Sequence, residues 1–267
     1  MNVFEQSMVD KLKELKEKYG AFAVKAEFEA EGTKMEELLR MKEVCMRGGM
    51  DLVLKIGGCE SIRDMLESKI VGVNHMVAPM VESAYALRKY LQAVRKVFGE
   101  HDRKGIEIFC DIETLTACDN FNDMLDIPEI DELDGIVMER VDLCYSINKG
   151  ESCIDGIEIS DIIQKTIKKA KVKGLITVIG GGISAGSMPF LKELTASLID
   201  RYETRKVCFD YRKAINAVPE KGIIKALAFE LLWLKNKMGY FSNIRYRDRQ
   251  RMEMIEHRYW KEMDSMV

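Results

Sequence analysis

Residues 106–148 constrain the fold of this chain more than any other stretch. Two short runs in it, IEIFCDIET and GIVMERVDL, are rich in apolar residues typical of strands and carry a carboxylate near their ends, Glu113 and Asp142. The stretch from Leu115 to Leu125 between them has a helical pattern. A strand–helix–strand unit builds a parallel sheet, and its right-handed crossover brings both strand ends to one edge. The pattern therefore predicts that Glu113 and Asp142 converge in space.

Two interpretations of this carboxylate pair follow from the residue types. Converging carboxylates suit a hard divalent cation such as Mg²⁺ or Mn²⁺, which prefers oxygen ligands. The structural alternative is that Asp142 caps a helix while Glu113 makes a salt bridge within the fold. The residues alone leave both interpretations open.

Strands and helices alternate along the rest of the chain, without a composition change that would mark a second core. The predicted strands are 21–29, 51–58, a segment within 73–83, the two runs above, 175–182 and 204–211. Such alternation builds either an open doubly wound sheet or a closed (β/α)₈ barrel of the TIM type. The open sheet expects G-x-G-x-x-G after the first strand, and Gly32-Thr33 stands there instead.

Polar residues recur at the predicted strand ends, which favours the barrel because its active sites gather side chains from many strand ends. These residues are Glu27, Glu29, Lys55, Glu82, Glu113, Arg140 and Asp142. An eighth strand is not evident. Either the N-terminal segment supplies a degenerate strand, or the barrel is incomplete and a helix fills the gap. His75 lies within an apolar strand and is expected to be a hydrogen-bonded core residue.

Composition excludes several classes of function. The chain has 267 residues, 47% of them hydrophobic, and a net charge of −3, so neither nucleic acid nor an anionic membrane is an expected partner. Seven scattered cysteines without a CxxC pair argue against a disulfide framework and a zinc site, and fit a reducing compartment. No run of 18 apolar residues and no signal peptide is present, so we expect a cytoplasmic protein.

The C-terminal region is expected to form helices. Residues 222–238 are apolar nearly all round, and 242–263 are highly charged with Tyr259 and Trp260 near the end. We therefore expect a barrel domain over 1–240 and a helical arm over 241–267. The arm is either a solvated helix or a segment that packs on a neighbouring subunit of a homo-oligomer.

Three motifs give the chain a resemblance to a known family. They are VAPMVESAYAL (77–87), DIETLTACDNF (111–121) and DGIVMERVDLCYS (134–146). In order and approximate spacing they are similar to segments of the HpcH/HpaI aldolase/citrate lyase family. The resemblance implies a (β/α)₈ barrel, often assembled into oligomers with exchanged C-terminal helices. It also implies metal-dependent cleavage or formation of a C–C bond through an enolate.

The resemblance assigns roles residue by residue. Glu113 and Asp142 match the two metal ligands of the family. Lys55 stands where an arginine that holds the substrate carboxylate is expected, and lysine keeps the charge but loses the bidentate fork. The family histidine on an early strand is missing, and Glu27 and Glu29 occupy that strand.

Arg140, two residues before Asp142, could partly replace the missing guanidinium. The expected catalytic residues are therefore Lys55, Glu27 and Arg140. The substrate-binding candidates lie at strand ends, namely Glu29, Glu82, Gly57 and Gly58. Structural alternatives remain for two of these residues. Lys55 could simply pair with Glu27 inside the barrel, and Glu82 could cap the helix that begins near Ser83.

Together these observations predict a lyase or aldolase that acts on a 2-oxo acid or a related carboxylate, with a CoA thioester as a further substrate type. A divalent ion on Glu113 and Asp142 would stabilise the enolate, and Glu27 or Glu29, with a pKa raised by its carboxylate neighbour, would transfer the proton. One alternative is a phosphoenolpyruvate-type mutase or hydrolase. Another is a binding or assembly protein that retains the metal site without catalysis.

Overall fold

The computed structural model describes residues 1–194 and 197–264, and within them the strands form one closed barrel. The strands are β1 (Ala21–Glu27), β2 (Asp51–Lys55), β3 (His75–Ala78), β4 (Glu107–Ile112), β5 (Gly135–Glu139), β6 (Ile176–Gly180), β7 (Arg201–Glu203) and β8 (Val207–Asp210). Each strand pairs with the next along the chain, and β8 closes the barrel on β1. The predicted barrel of the TIM type is confirmed.

Helices cover the outside of the barrel. They are α1 (Val3–Tyr19), α2 (Met35–Gly48), α3 (Ile62–Val71), α4 (Ala84–Arg103), α5 (Leu115–Asp119), α6 (Phe121–Leu125), α7 (Arg140–Ser146), α8 (Ile157–Val172), α9 (Met188–Glu193), α10 (Tyr211–Ile215) and α11 (Pro219–Asp264). Their apolar faces pack against the outward side chains of the strands in one continuous core. The barrel therefore has the usual two layers, with helices outside and strands inside.

The strand missing from the sequence analysis is β7, at Arg201–Glu203. The strand predicted at 204–211 is β8, which pairs antiparallel with both β7 and β1. Neither the N-terminal segment nor a helix fills the gap, contrary to the expectation. A three-residue strand followed by a tight hairpin is too short to show an alternating pattern, which explains why the sequence did not reveal it.

The barrel interior is layered, because side chains of a strand point inward at every second position. The middle layer is apolar and consists of Ala23, Val53, Val77, Phe109, Val137, Val178 and Cys208. Two residues further along their strands, Lys25, Lys55, Asp111 and Glu139 form a charged layer at the C-terminal ends of the strands. The apolar layer thus separates this charged layer from the polar groups at the opposite end of the barrel.

The fifth strand ends earlier than expected. The run GIVMERVDL was predicted as one strand, but β5 ends at Glu139 and α7 begins at Arg140. Asp142 therefore lies in the first turn of a helix and not on a strand. Carboxylates are favoured in the first turn because the helix N-terminus carries partial positive charge.

Helix α11 runs without interruption across the expected domain boundary between residues 240 and 241. Its early part packs against α1 through buried side chains, including Ile223, Phe229 and Trp233. The side chains of Tyr259 and Trp260, which were expected to make contacts, lie outside those that the structure describes. The boundary itself stays a prediction.

The cysteines depart from expectation at one place. Cys144 in α7 and Cys153 in the following loop form a disulfide, whereas the remaining five cysteines, all within the described residues, are free. The bridge closes the loop that follows Asp142. In the described part of the chain, none of the helices combines the length and apolar character needed to cross a bilayer.

Candidate active site

A cleft of about 480 Å³ opens at the C-terminal ends of the strands. Strand ends, the loops that follow them and one side of α11 form its wall. The lining residues are Lys25, Glu27, Glu29, Ala30, Lys55, Glu139, Val141, Asp142, Glu151, Ile154, Gly181, Gly182, Ile183, Thr204, Arg205, Leu227 and Glu230. This is the end at which barrel enzymes carry their active sites.

Lys55 is a central cation of this cleft. Its Nζ lies 2.8 Å from Asp111 Oδ2, 3.2 Å from Glu113 Oε2 and 3.6 Å from Glu29 Oε2. Burial alone would lower the pKa of Lys55, but the charges of Asp111 and Glu113 outweigh it and raise the pKa strongly. The side chain therefore remains an ammonium ion and is neither a base nor an amine nucleophile.

Glu113 directly follows β4 and is almost fully buried. Its Oε1 accepts a hydrogen bond of 2.7 Å from the backbone N–H of Met80, a non-glycine residue with φ of 53°. The left-handed conformation of Met80, which follows Pro79 in the PMVES motif, orients this N–H towards the carboxylate. Backbone strain of this kind is uncommon and concentrates at functional sites.

Burial raises the pKa of Glu113, although Lys55 and the Met80 N–H oppose this rise, and the charge of Asp142 adds to it. Burial also raises the pKa of Asp142, with further contributions from Glu139 and Glu29. The charge of Asp142 thus acts on Glu113, and the shared metal site of the two carboxylates stays a prediction. Burial is the main cause of both rises, and the positive charge of Lys55 only partly opposes it.

The donor chemistry of Glu113 and Asp142 fits a hard divalent cation. Both offer carboxylate oxygens, and such a cation would stabilise the charged forms that burial disfavours. Within residues 1–194 and 197–264, no group of three or more His, Cys, Asp or Glu side chains is arranged around an ion position. A bound ion would therefore need water or substrate oxygens to complete its coordination.

A second buried lysine forms another part of the charged layer. Lys25 Nζ lies 2.6 Å from Glu203 Oε1, 3.0 Å from Glu27 Oε1 and 3.2 Å from Glu139 Oε1. One ammonium ion therefore holds carboxylates from β1, β5 and the end of β7. Burial raises the pKa of Glu203, and the positive charge of Lys25 only partly opposes this rise.

Glu27 and Glu29 both line the cleft, but their environments differ. The ion pair with Lys25 outweighs the burial of Glu27 and lowers its pKa. The expected rise in the pKa of Glu27 is therefore wrong, because a lysine and not a carboxylate is its nearest charged neighbour. Glu29 lies on the turn after β1, has a side chain that is 36% exposed and approaches Lys55.

Arg140 does not line the cleft, contrary to expectation. Its guanidinium is fully buried and donates hydrogen bonds to Asp155 Oδ1 at 2.6 Å and to the carbonyl of Gly181 at 3.0 Å. It also stacks over the Phe190 ring. Arg140 begins α7 with its side chain directed outward between neighbouring loops. It therefore fixes these loops and cannot replace the missing guanidinium at the carboxylate pair.

Three proposed substrate-binding residues also lie outside the cleft wall. Glu82 Oε1 accepts a hydrogen bond of 2.6 Å from Thr114 Oγ1, next to Glu113, and does not cap α4, because Ser83 does. Gly57 N–H donates to Asp64 Oδ2 at 2.7 Å in the loop after β2, and Gly58 lies in the same loop. Glu82 thus supports the segment that carries Glu113, while the glycines shape a neighbouring loop.

The sequence analysis did not assign four charged residues of the inner layer, namely Lys25, Asp111, Glu139 and Glu203. A usable signal existed for the first two. Lys25 precedes Glu27, and Asp111 precedes Glu113, by two positions in otherwise apolar strands, so each pair shares the inward face. No comparable signal existed for Glu203, because its strand was not recognised.

The sequence model of the HpcH/HpaI aldolase/citrate lyase family matches residues 42–183. The chain belongs to this family. The match contains Lys55, Glu113 and Asp142 and begins after β1, so Glu27 and Glu29 lie outside it. A comparison with curated proteins returned no match.

Solved structures support the same fold at low sequence identity. An HpcH/HpaI aldolase from Desulfitobacterium hafniense DCB-2 has a TM-score of 0.60 at 14% identity, over 83% of this chain and 88% of that one. The citrate synthase SbnG has a TM-score of 0.58 at 12% identity, over 80% and 86%. A family protein from Burkholderia cenocepacia J2315 reaches 0.56 at 10%, over 76% and 93%. At these identities the similarity establishes the barrel, and family membership supports aldolase or lyase activity.

Proposed function

We propose that this protein is a divalent-metal-dependent carbon–carbon lyase or aldolase that acts on a 2-oxo acid through an enolate. The observation that carries the proposal is the charge of the inner layer. Two buried lysines, Lys25 and Lys55, stand among a larger number of buried carboxylates at the end of the barrel where family enzymes react. Such an excess favours a bound cation.

Glu113 and Asp142 are the residues proposed to hold the ion. Mg²⁺ or Mn²⁺ bound there would act as a Lewis acid towards the carboxylate and 2-oxo oxygens of the substrate. The backbone N–H of Met80 fixes Glu113 at Oε1 and so limits the directions in which this carboxylate can face. Asp142, at the start of α7, is the more exposed of the two and faces the cleft.

Lys55 is the proposed electrostatic partner of the reaction. Its ammonium ion would stabilise the negative charge that develops on the substrate oxygens, because it is preorganised by Asp111 and Glu113 in a largely buried site. It would not form a Schiff base, since its pKa is strongly raised.

Glu29 is the proposed proton-transfer residue. It lines the cleft next to Lys55, whereas Glu27 is paired with Lys25. In the cleavage of a 4-hydroxy-2-oxo acid, the base removes the hydroxyl proton and the C3–C4 bond breaks. C4 becomes an aldehyde, the electron pair of the broken bond forms the enolate, and protonation of C3 completes the reaction.

Exchange of the methyl protons of pyruvate in D₂O tests enolate formation without knowledge of the natural substrate. We expect the protein with Mn²⁺ to catalyse this exchange, followed by ¹H NMR. The variants Glu113→Gln and Asp142→Asn should lose both the exchange and the Mn²⁺ affinity measured by EPR titration. No exchange by the wild type, or full exchange with chelator present, would reject the proposal.

Glu107→Gln is the matched control. Glu107 begins β4 and Glu113 follows its end, so the two carboxylates lie at opposite ends of one strand. The control should retain exchange and Mn²⁺ affinity. Asp142→Asn keeps the test decisive should Glu113→Gln fold poorly, because Asp142 is only half-buried. Metal binding without exchange would favour the non-catalytic alternative.

We further propose a homo-oligomer formed through α11. Apolar residues recur along one exposed face of α11 at alternating spacings of three and four, each between 46% and 76% exposed: Ile224, Leu227, Leu231, Leu234 and Met238. This is the spacing of a helix–helix seam, and exposed apolar stripes mark interaction surfaces. Leu227, near the start of this face, also borders the cleft. The seam leads into residues 241–267, the segment expected to reach a neighbouring subunit.

Light scattering of the purified protein tests the assembly. We expect an oligomer at micromolar concentration and a smaller species after deletion of residues 241–267 or in the double variant Leu231→Glu/Leu234→Glu. The control Arg63→Glu changes an exposed side chain on α3 and should leave the mass unchanged. A monomeric wild type would reject the proposal.

A further inference from the structure

The outer part of the cleft carries its own pattern of charge, separate from the inner layer. Three carboxylates line it from three different elements, namely Glu29 after β1, Glu151 after α7 and Glu230 on α11. A single guanidinium, that of Arg205 in the β7–β8 hairpin, lies among these lining residues. The rim that a substrate crosses is therefore acidic.

The guanidinium of Arg205 shares its carboxylate partner, Glu31, with a second cation. Its Nε donates to Glu31 Oε1 at 3.1 Å, and Glu31 also pairs with Lys206. By contrast, Glu151 forms no ion pair with any cation in the part of the chain that the structure describes, and it is exposed. Three lining carboxylates thus stand against one lining guanidinium, and the balance of charge at the rim is negative.

The wall of the cleft also carries apolar side chains. Val141, Ile154, Ile183 and Leu227 line the cleft. A chain of a few carbon atoms attached to the reacting 2-oxo acid would lie along this wall, with its far end at the rim carboxylates. The cleft volume of about 480 Å³ leaves room for such an extension.

We propose that the cleft selects substrates whose far end is uncharged or cationic, and disfavours those with a second carboxylate or a phosphate. This inference rests on the proposed function and specifies its substrate class. A carboxylate or phosphate at the rim would face Glu29, Glu151 and Glu230, whereas an ammonium group would be attracted to them. The phosphates of a CoA thioester would meet the same repulsion.

Three 4-hydroxy-2-oxo acids of equal chain length, ending in a methyl, an ammonium or a carboxylate group, provide the test. We expect kcat/KM to be highest for the ammonium compound and roughly tenfold lower for the carboxylate than for the methyl compound at low salt. Added salt should reduce these differences, because the rim is exposed to solvent. The Kd values of unreactive 2-oxo acids with the same ends, measured by calorimetry, should follow the same order.

The variants Glu151→Gln and Glu230→Gln should each reduce the discrimination against the carboxylate compound by about threefold. Glu100→Gln, an exposed carboxylate near the end of α4 outside the cleft, is the matched control and should leave it unchanged. Equal or faster turnover of the carboxylate compound or of a CoA thioester would overturn the inference. Pyruvate has no extension, so a failure of its proton exchange would count against the proposed function instead.

Discussion

The two ends of the barrel both carry networks of charged groups but balance their charges differently. At the C-terminal ends of the strands, burial raises the pKa of Asp111, Glu113, Asp142 and Glu203. At the N-terminal ends, the hydrogen bond from His75 and the contact with Arg201 lower the pKa of Glu107 to about 2. The carboxylates at the C-terminal end thus have too few cations beside them to offset their burial, whereas Glu107 at the N-terminal end is stabilised by His75 and Arg201.

The N-terminal end contains a closed network. His75 Nδ1 lies 2.8 Å from Glu107 Oε2, His75 Nε2 lies 3.2 Å from Asp51 Oδ2, and Arg201 pairs with Glu107 at 2.7 Å. Arg201 also packs over Phe22. The expectation of a hydrogen-bonded core histidine at position 75 is confirmed. Each group here has an opposite charge beside it, so folding alone satisfies this network.

The difference shows at which end of the barrel the fold leaves carboxylates without enough neighbouring cations. The apolar middle layer, with Val53 and Phe109 among its members, insulates the two ends from each other. The charge excess at the C-terminal end is therefore not relieved by Arg201 or His75 on the other side. Groups with strongly perturbed pKa values in a cleft are candidates for function, whereas satisfied networks serve stability.

The largest expected effect separates the cations of the two ends. Lys55→Met should reduce enolate exchange on the order of 10²–10³-fold, because it removes the charge that faces the developing oxyanion. Arg201→Met should leave exchange nearly unchanged but lower the free energy of unfolding by about 2 kcal/mol, through lost hydrogen bonds and ring packing. Exchange rates and urea denaturation of both variants measure this contrast. Equal exchange in the two would remove the distinction between the ends.

The second prediction compares Glu27, the last residue of β1, with Glu29, which follows the strand. Glu29→Gln should reduce exchange by about 10²-fold, as expected for loss of a general base. Glu27→Gln should reduce it less than about tenfold, because Glu27 is paired with Lys25 and its pKa is lowered. The reverse order of effects would assign the base to Glu27.

The third prediction concerns pH and metal at the C-terminal end. A carboxyl group whose pKa is higher in the folded than in the unfolded protein makes the protein less stable as the pH rises. The loss begins near the unfolded pKa of about 4 and is complete above the folded pKa. Asp111, Glu113 and Glu203 are such groups, so the metal-free protein should have a lower Tm at pH 8 than at pH 5. Saturating Mn²⁺ should raise the Tm at pH 8 by about 5–10 °C. Scanning calorimetry measures this shift, and its absence would argue against an uncompensated site.

The fourth prediction concerns the N-terminal end. Burial alone would lower the pKa of His75, but the hydrogen bonds to Asp51 and Glu107 outweigh it and raise the pKa. Its stabilising contribution is therefore complete below the unfolded pKa of about 6.5 and is lost as pH rises through the folded value. His75→Gln should cost about 1 kcal/mol at pH 5.5 and less at pH 9. Urea denaturation at both pH values, with saturating Mn²⁺, tests this; an equal cost at both would contradict it.

The smallest expected effect is on the strained turn beside Glu113. Met80 has a φ of 53°, which glycine adopts without steric cost. Met80→Gly should therefore be more stable than Met80→Ala by about 0.5 kcal/mol, although both keep the N–H that Glu113 accepts. Exchange should differ between them less than about threefold. Lower stability of the glycine variant would show that the turn is not strained.

Local pattern was sufficient for much of the fold. Strands β1 to β6 were predicted near their observed positions because their apolar runs are bounded by glycines or polar turns, as at Gly48-Gly49 before β2. The end of β5 was misplaced because Val141 and Leu143 continue an apolar pattern that fits a strand or a buried helix turn equally well. Strand β7 was missed because three residues are too few to show the alternating pattern of a strand.

The sequence by itself determined the barrel and which strand ends share its C-terminal edge, because strand alternation and the right-handed crossover fix which ends meet. It also put Lys55 at that edge, where the structure pairs it with Glu113. Only the tertiary structure decided the direction of Arg140, which turns outward because a helix and not a strand begins at that residue. It alone paired Glu27 with Lys25 and lowered the pKa of Glu27. Charge balance depends on contacts between distant strands, and the order of residues along the chain does not contain those contacts.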